Sequence, residues 1–184
     1  MERTRKILEN QNIILRKEEP EDLEFLYSIE NDDDFWFVSD TNSPFSKWQI
    51  KQHIENSVYD IFTSKELRLI IELKKDKSKL GIVDLFEYAP QHARIGIGIV
   101  IAKEQQNKNI GKDALELAID YCFRVLETRQ IWCNIDANNS RSIKLLESVG
   151  FRRNGILKDW KRKNNVFSDV YFYQNIGINN GIEN

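Results

Sequence analysis

Arg94-Ile-Gly-Ile-Gly-Ile-Val-Ile-Ala102, then Lys103-Glu104, then Gln105-Gln-Asn-Lys-Asn-Ile-Gly-Lys112 follow one another in the chain. The first segment reads as a buried strand, because β-branched residues dominate it and two charges close it. After the polar turn, Leu115, Ala118, Ile119, Cys122 and Leu126 recur at helical spacing, with Asp113, Glu116, Asp120 and Arg124 on the opposite side. The unit is therefore a strand, a turn and a helix start. Backbone N–H groups at a helix N-terminus lack intrahelical partners and point into the preceding turn, which makes it an anion site. Lys108 and Lys112 add positive charge there. The alternative for the same residues is a solvated loop with two lysines.

Composition narrows what surrounds this unit. A chain of 184 residues, 41% hydrophobic and 30% charged, fits one globular domain. That domain is read as 1–184, with its core over about 12–175. A net charge of −2 offers no basic excess for a nucleic-acid backbone, so no nucleic-acid partner is expected. The N-terminus, Met1-Glu-Arg-Thr-Arg-Lys-Ile-Leu, has no apolar core of a secretory signal, and no apolar run approaches the roughly 20 residues of a membrane span. Cys122 and Cys133 sit in apolar patterns and read as reduced core residues. His53 and His92, the two histidines, are too scattered for a zinc site. A cytoplasmic protein without a metal or a membrane is expected.

The flanking elements follow from local signals. Asn12 to Arg16 reads as a strand, and Glu19-Pro20-Glu-Asp22 opens a helix, with Leu23, Leu26 and Tyr27 on its buried stripe. Asn31 to Asp34 ends it, and Phe35-Trp36-Phe37 follows. Acids beside aromatics suit an amine, since carboxylates attract the cation and ring faces receive it. A helix end next to a packed aromatic anchor is the other reading. Ser46-x-x-Gln49 has the shape of a capping box before a helix carrying Ile50, Ile54 and Val58. Glu66–Leu73 and Lys79–Tyr88 form an antiparallel pair across a polar turn. Gly96 and Gly98, within the strand, mark a bulge or a close approach of backbone. Gln130–Asp136 alternates as a strand, a helix runs through Ile143, Leu146 and Val149 to a stop at Gly150, and a hairpin with its turn at 161–165 ends the fold. Residues from Gly177 onward read as a tail.

Two of these segments carry a family likeness. Gln106-x-x-Asn109-x-Gly111 resembles the Gln/Arg-x-x-Gly-x-Gly/Ala signature of the GNAT superfamily of acyl-CoA N-acetyltransferases, whose loop amides hold a pyrophosphate. Asn109 stands where the family usually has Gly; asparagine tolerates the left-handed conformation better than most residues. Asn139-Ser-Arg-Ser142 with Glu147-Ser-Val-Gly-Phe151 resembles the Asn-x-x-Ser and Glu-x-x-Gly-Phe motifs of the subgroup that holds ribosomal-protein alanine acetyltransferases and spermidine acetyltransferases. The resemblance implies an α/β GNAT fold, with a mixed, mostly antiparallel sheet and helices on both faces, and acetyl-CoA as cofactor. It implies cofactor contacts at Gln106, Asn107, Lys108, Asn109, Ile110, Gly111 and Lys112, along Ile99, Val100 and Ile101, and at Asn139 and Ser142.

The implied chemistry is acetyl transfer to a primary amine. Positioning supplies much of the rate, and N–H groups near Ile99 and Val100 would serve the developing oxyanion. An alkyl amine arrives protonated at neutral pH, so a group must accept its proton. The strand-four glutamate that many relatives use corresponds to Gly96, which leaves Asp84 and Glu87 as acidic candidates; a structural salt bridge is the alternative for each. Glu87 matches an acidic position of the polyamine site in spermidine acetyltransferases. The tyrosine that many relatives place near the thiol corresponds to Leu146, so Ser142 becomes the candidate for a hydrogen bond to sulfur, or is simply a first-turn helix residue. The acceptor is read as a polyamine such as spermidine, with Asp33, Trp36 and Glu87 as substrate residues, although Val38-Ser39 precedes Asp40 where spermidine acetyltransferases carry acids. Protein N-terminal acetylation and a low-turnover CoA-binding module are the alternatives. A homo-oligomer is compatible with the family.

Overall fold

A computed structural model describes residues 7–32, 43–106 and 109–177. Asp33, Trp36, Asn107 and Lys108 lie outside them. The strands are β1 (Ile13–Lys17), β2 (Leu67–Leu73), β3 (Lys79–Ala89), β4 (Arg94–Ile101), β5 (Gln130–Asp136), β6 (Arg152–Lys163) and β7 (Val166–Ile176). They form one seven-stranded sheet in the order β1-β2-β3-β4-β5-β7-β6. Every adjacent pair is antiparallel except β4 with β5. The helices are α1 (Leu23–Glu30), α2 (Lys47–Asn56), α3 (Ile61–Ser64), α4 (Ile110–Arg124) and α5 (Ser140–Ser148).

Strand periodicity divides the core. Leu69, Ile71, Val83 and Leu85 pack with Ala114, Leu115, Ala118 and Cys122 of α4, while Ile70 and Ile82 pack with Leu26, Ile29, Ile50 and Ile54 of α1 and α2. Successive strand residues point to opposite faces, so the central strands need helices on both. Both cysteines are free and buried, and burial pushes each thiol up to about 12. Next to β1, Arg16 and Lys79 hold the fully buried Asp22 carboxylate.

Local reading holds for most boundaries and fails at four places. Ser46 and Gln49 do form the reciprocal capping box, but α2 stops at Asn56 and Val58 is exposed. The short α3, capped by Asp60, has no counterpart in the expected elements. The final hairpin turns at Asn164-Asn165, both with positive φ, so its strands are longer than expected; a two-residue turn matches the twist of the flanking strands. Of the two readings of Gly96 and Gly98, a bulge or a close approach, the bulge lies not in β4 but in β3, between Phe86 and Ala89, where Glu87 has φ 49°, while Gly96 is closely approached by the Phe86 ring.

Candidate active site

The parallel pairing of β4 with β5 covers Arg94, Ile95 and Gly96 opposite Gln130, Ile131 and Trp132, and no further pair follows among the described residues. From Ile97 to Ile101, β4 pairs with β3 alone. Backbone polar groups alternate sides along a strand, so this half of β4 offers donors and acceptors to whatever enters between β4 and β5. A cleft of about 790 Å³ occupies that gap. Ile99 and Val100 form part of its floor, and Ser142, Leu145 and Leu146 of α5 line its far side.

At the end of the open strand, Gln106 ties the turn down. Its amide nitrogen donates to the Ile101 carbonyl at 3.1 Å, and its oxygen accepts from Arg141. Asn109 is the N-cap of α4 with φ 59°, the left-handed conformation that the motif requires, and its side chain makes no capping hydrogen bond. Ile110, Gly111 and Lys112 then form the first turn, so their N–H groups are the unpaired donors of a 15-residue helix. An open strand edge and an uncapped helix start at its end together fit a long molecule with an amide-bearing arm and an anionic head. Asn139 caps α5, accepting the Ser142 N–H at 3.1 Å. It fixes the start of the helix that carries Ser142 and Leu146 into the cleft.

The opposite wall is built from charge. Arg68 of β2 donates from Nε to Asp84 Oδ1 at 2.7 Å and from Nη2 to Oδ2 at 2.9 Å, and from Nη1 to Glu30. The two carboxylates, outweighing desolvation, drive the guanidinium still further above its ordinary value, so it remains charged. Asp84 thus has both oxygens engaged, whereas Glu87 is exposed on the β3 bulge; both line the cleft. The slot at Gly96 is closed, because a Cβ there would stand 2.3 Å from the Phe86 ring. Phe86 in turn meets Trp132 edge-on at 5.3 Å, and Trp132 stacks on Phe172 at 6.0 Å. These rings, His53 and the Arg68 cluster were missed in the sequence, since alternation marks Phe86 and Trp132 as strand residues but not as neighbours. Among the described residues, no group of His, Cys, Asp and Glu has the arrangement of a metal site, and no helix is long and apolar enough to cross a membrane.

Comparison with known proteins matches this geometry. The chain is 27% identical over 164 residues to a spermidine N(1)-acetyltransferase of Vibrio cholerae, covering 88% of this chain and 91% of that protein. It is 28% identical over 150 residues to the Escherichia coli spermidine N(1)-acetyltransferase, covering 79% and 76%. The crystal structure of spermidine N-acetyltransferase from Vibrio cholerae in complex with CoA and spermine superimposes with a TM-score of 0.81 at 25% identity, over 91% of this chain and 96% of that one. The sequence model of the acetyltransferase (GNAT) domain matches residues 12–152. With the splayed β4–β5 pair and the left-handed entry to α4 behind that match, the chain belongs to the GNAT acetyltransferases and is an N-acetyltransferase that uses acetyl-CoA.

Proposed function

We propose that this enzyme acetylates a primary amine of a polyamine such as spermidine or spermine, and that it does so in the cytoplasm, where its buried thiols remain reduced. The carrying observation is the acidic wall of the cleft, where Glu30 and Asp84 hold the guanidinium of Arg68 and Glu87 adds a third carboxylate to the lining. Lys161 lines the cleft from β6. Excess carboxylate beside a low-dielectric aromatic surface favours an alkyl cation over a neutral or anionic acceptor. Phe86 and Trp132 supply apolar faces for the methylene chain. The similarity to enzymes named for spermidine supports the same acceptor.

Acetyl-CoA supplies an activated acyl group as a thioester. In this reading Ile99, Val100 and Ile101 hold its arm along the open edge of β4. Gln106, Asn109, Ile110, Gly111 and Lys112, with Asn107 and Lys108 outside the described residues, hold its pyrophosphate at the α4 N-terminus. Asn139 contacts the cofactor, and the Ser142 hydroxyl donates a hydrogen bond to the sulfur. Glu87 attracts the incoming ammonium, and Asp84 keeps Arg68 from neutralising the rest of the wall. Asp33 and Trp36, read from the sequence as acceptor residues, lie outside the described residues.

The test is free-thiol release from acetyl-CoA against spermidine, spermine, putrescine and short peptides with varied N-termini. Turnover with polyamines, weakened at least tenfold in kcat/KM by Glu87→Gln, is expected. Turnover with peptides alone would overturn the polyamine acceptor.

A further inference from the structure

Behind the acceptor wall lies a second cavity of about 230 Å³, which shares His53, Arg68, Asp84 and Phe86 with the main cleft. Glu18 lines it from the end of β1. Its side chain is only 1% exposed, and its Oε1 lies 3.6 Å from Nε2 of His53, whose side chain is 44% exposed. Glu18 Oε2 has no hydrogen-bond partner among the described residues. A carboxyl group is thus sealed behind an imidazole, and the imidazole alone reaches the cleft.

From this arrangement we infer that His53 accepts the proton from the acceptor amine and that Glu18 positions it and stabilises its charged form. The inference rests on the reading of the cleft as the acceptor site. Elimination among the cleft's titratable groups supports it. Asp84 has both oxygens engaged by Arg68, which also holds Glu30. Glu87 lines the cleft but is exposed on the bulge of β3, where it serves as the charge partner of the incoming ammonium. Cys133 is a buried thiol raised to about 12, and a lysine such as Lys161 offers donors only. Imidazole is the side chain whose charge ordinarily changes near neutral pH, which suits a base that must be free at pH 7 and regenerate there.

Charged groups of both signs surround the pair. Glu66, just before β2, and Arg68 of β2 face the small cavity; from β1, Lys17 joins Glu18; Asp84 faces it from β3, and Tyr59 from the loop after α2. Arg68 is held by Glu30 and Asp84, and Lys17 donates to the Tyr59 carbonyl at 3.0 Å, so neither cation pairs with Glu18. Burial pushes the Glu18 carboxyl up from its ordinary value, and the nearby imidazole opposes that shift. Glu18 Oε1, 3.6 Å from Nε2, is the buried acidic group that faces the ring on the side away from the cleft.

The step balances without another reactant. The acceptor arrives as an ammonium, so two N–H bonds break: the first proton passes to Nδ1 of His53, the ring nitrogen away from Glu18, which frees the lone pair that bonds to the acyl carbon, and the second passes to the leaving thiolate as the intermediate collapses to amide and thiol. The imidazolium then returns its proton to solvent through the open side of the cleft. His53 is the catalytic residue in this scheme and Glu18 a positioning residue. The pair occupies the functional place that Gly96 cannot fill.

The test combines kinetics with nuclear magnetic resonance. His53→Gln is expected to lower kcat at pH 7 by roughly 100- to 10,000-fold, with KM for acetyl-CoA changed less than about twofold. The loss should shrink at high pH, where the amine arrives unprotonated. Ring resonances are assigned with His92→Gln, since the chain has only two histidines. In the wild type, the His53 titration midpoint should coincide with the acidic limb of the pH–kcat/KM profile. Glu18→Gln should move both downward together. A His53→Gln enzyme within threefold of wild type, a ring midpoint that differs from the kinetic limb, or a midpoint unmoved by Glu18→Gln would each overturn the assignment. The ring titration needs no acceptor, and kinetics run with whichever amine turns over, so failure of the polyamine reading is seen separately.

Discussion

The two walls of the cleft are made of different materials. The cofactor wall is backbone: an open strand edge from Ile97 to Ile101, a left-handed Asn109 and the first turn of α4. The acceptor wall is side chains, with Arg68 from β2 joining Glu30 of α1 and Asp84 of β3, and His53 of α2 joining Glu18 at the end of β1. A backbone wall tolerates much side-chain variation, because its donors belong to every residue. A charged wall depends on each member, because removing one leaves its partners desolvated and unpaired.

Substitution among buried charges should give the largest effects, first in the ion cluster beside β1 and then in the acceptor wall. Asp22→Asn removes the buried carboxylate shared by Arg16 and Lys79, and should cost about 3–5 kcal/mol in denaturant unfolding. Burial alone would raise the Asp22 carboxyl, but those cations outweigh it and hold it near 2. A depressed folded-state value means that this contribution is complete above the ordinary carboxylate range and is lost as pH falls through about 2. Wild-type stability should therefore drop between roughly pH 4 and 2, and the asparagine variant should show a shallower drop. A parallel pH profile for the two proteins would remove the ion cluster from the account.

Arg68→Met comes next. It should abolish most acetyl transfer and cost about 3 kcal/mol, while folded protein still binds CoA within about threefold by calorimetry. Equal losses of CoA affinity and turnover would break the division into two walls. Gly96→Glu restores the usual acid of the family but collides with the Phe86 ring, so it should cost about 1–3 kcal/mol and restore no activity. Adding Phe86→Ala should recover part of the stability, and a fully additive pair would show that the collision is not the cause. Smallest is Asn109→Gly, which relieves a left-handed residue and should change CoA affinity by less than about threefold; Asn109→Ala should instead destabilise by about 1 kcal/mol.

The sequence alone carried the order of the strands and of every helix but the short α3, the strand–turn–helix unit from Arg94 to Arg124, and the motif at Asn139 to Phe151, because each depends on periodicity, caps and turn chemistry within a short window. Asn109 was legible for that reason: its conformation is a local property of one residue. Tertiary structure alone decided that β4 and β5 part company after Gly96, that Phe86 fills the space above that glycine, and that the bulge falls in β3. It also decided the acceptor wall. Arg68 lies 38 residues from Glu30 and 16 from Asp84. No local rule selects those partners: charged residues at such separations become neighbours only when strand register and helix packing bring them together, and burial then makes the pairing consequential.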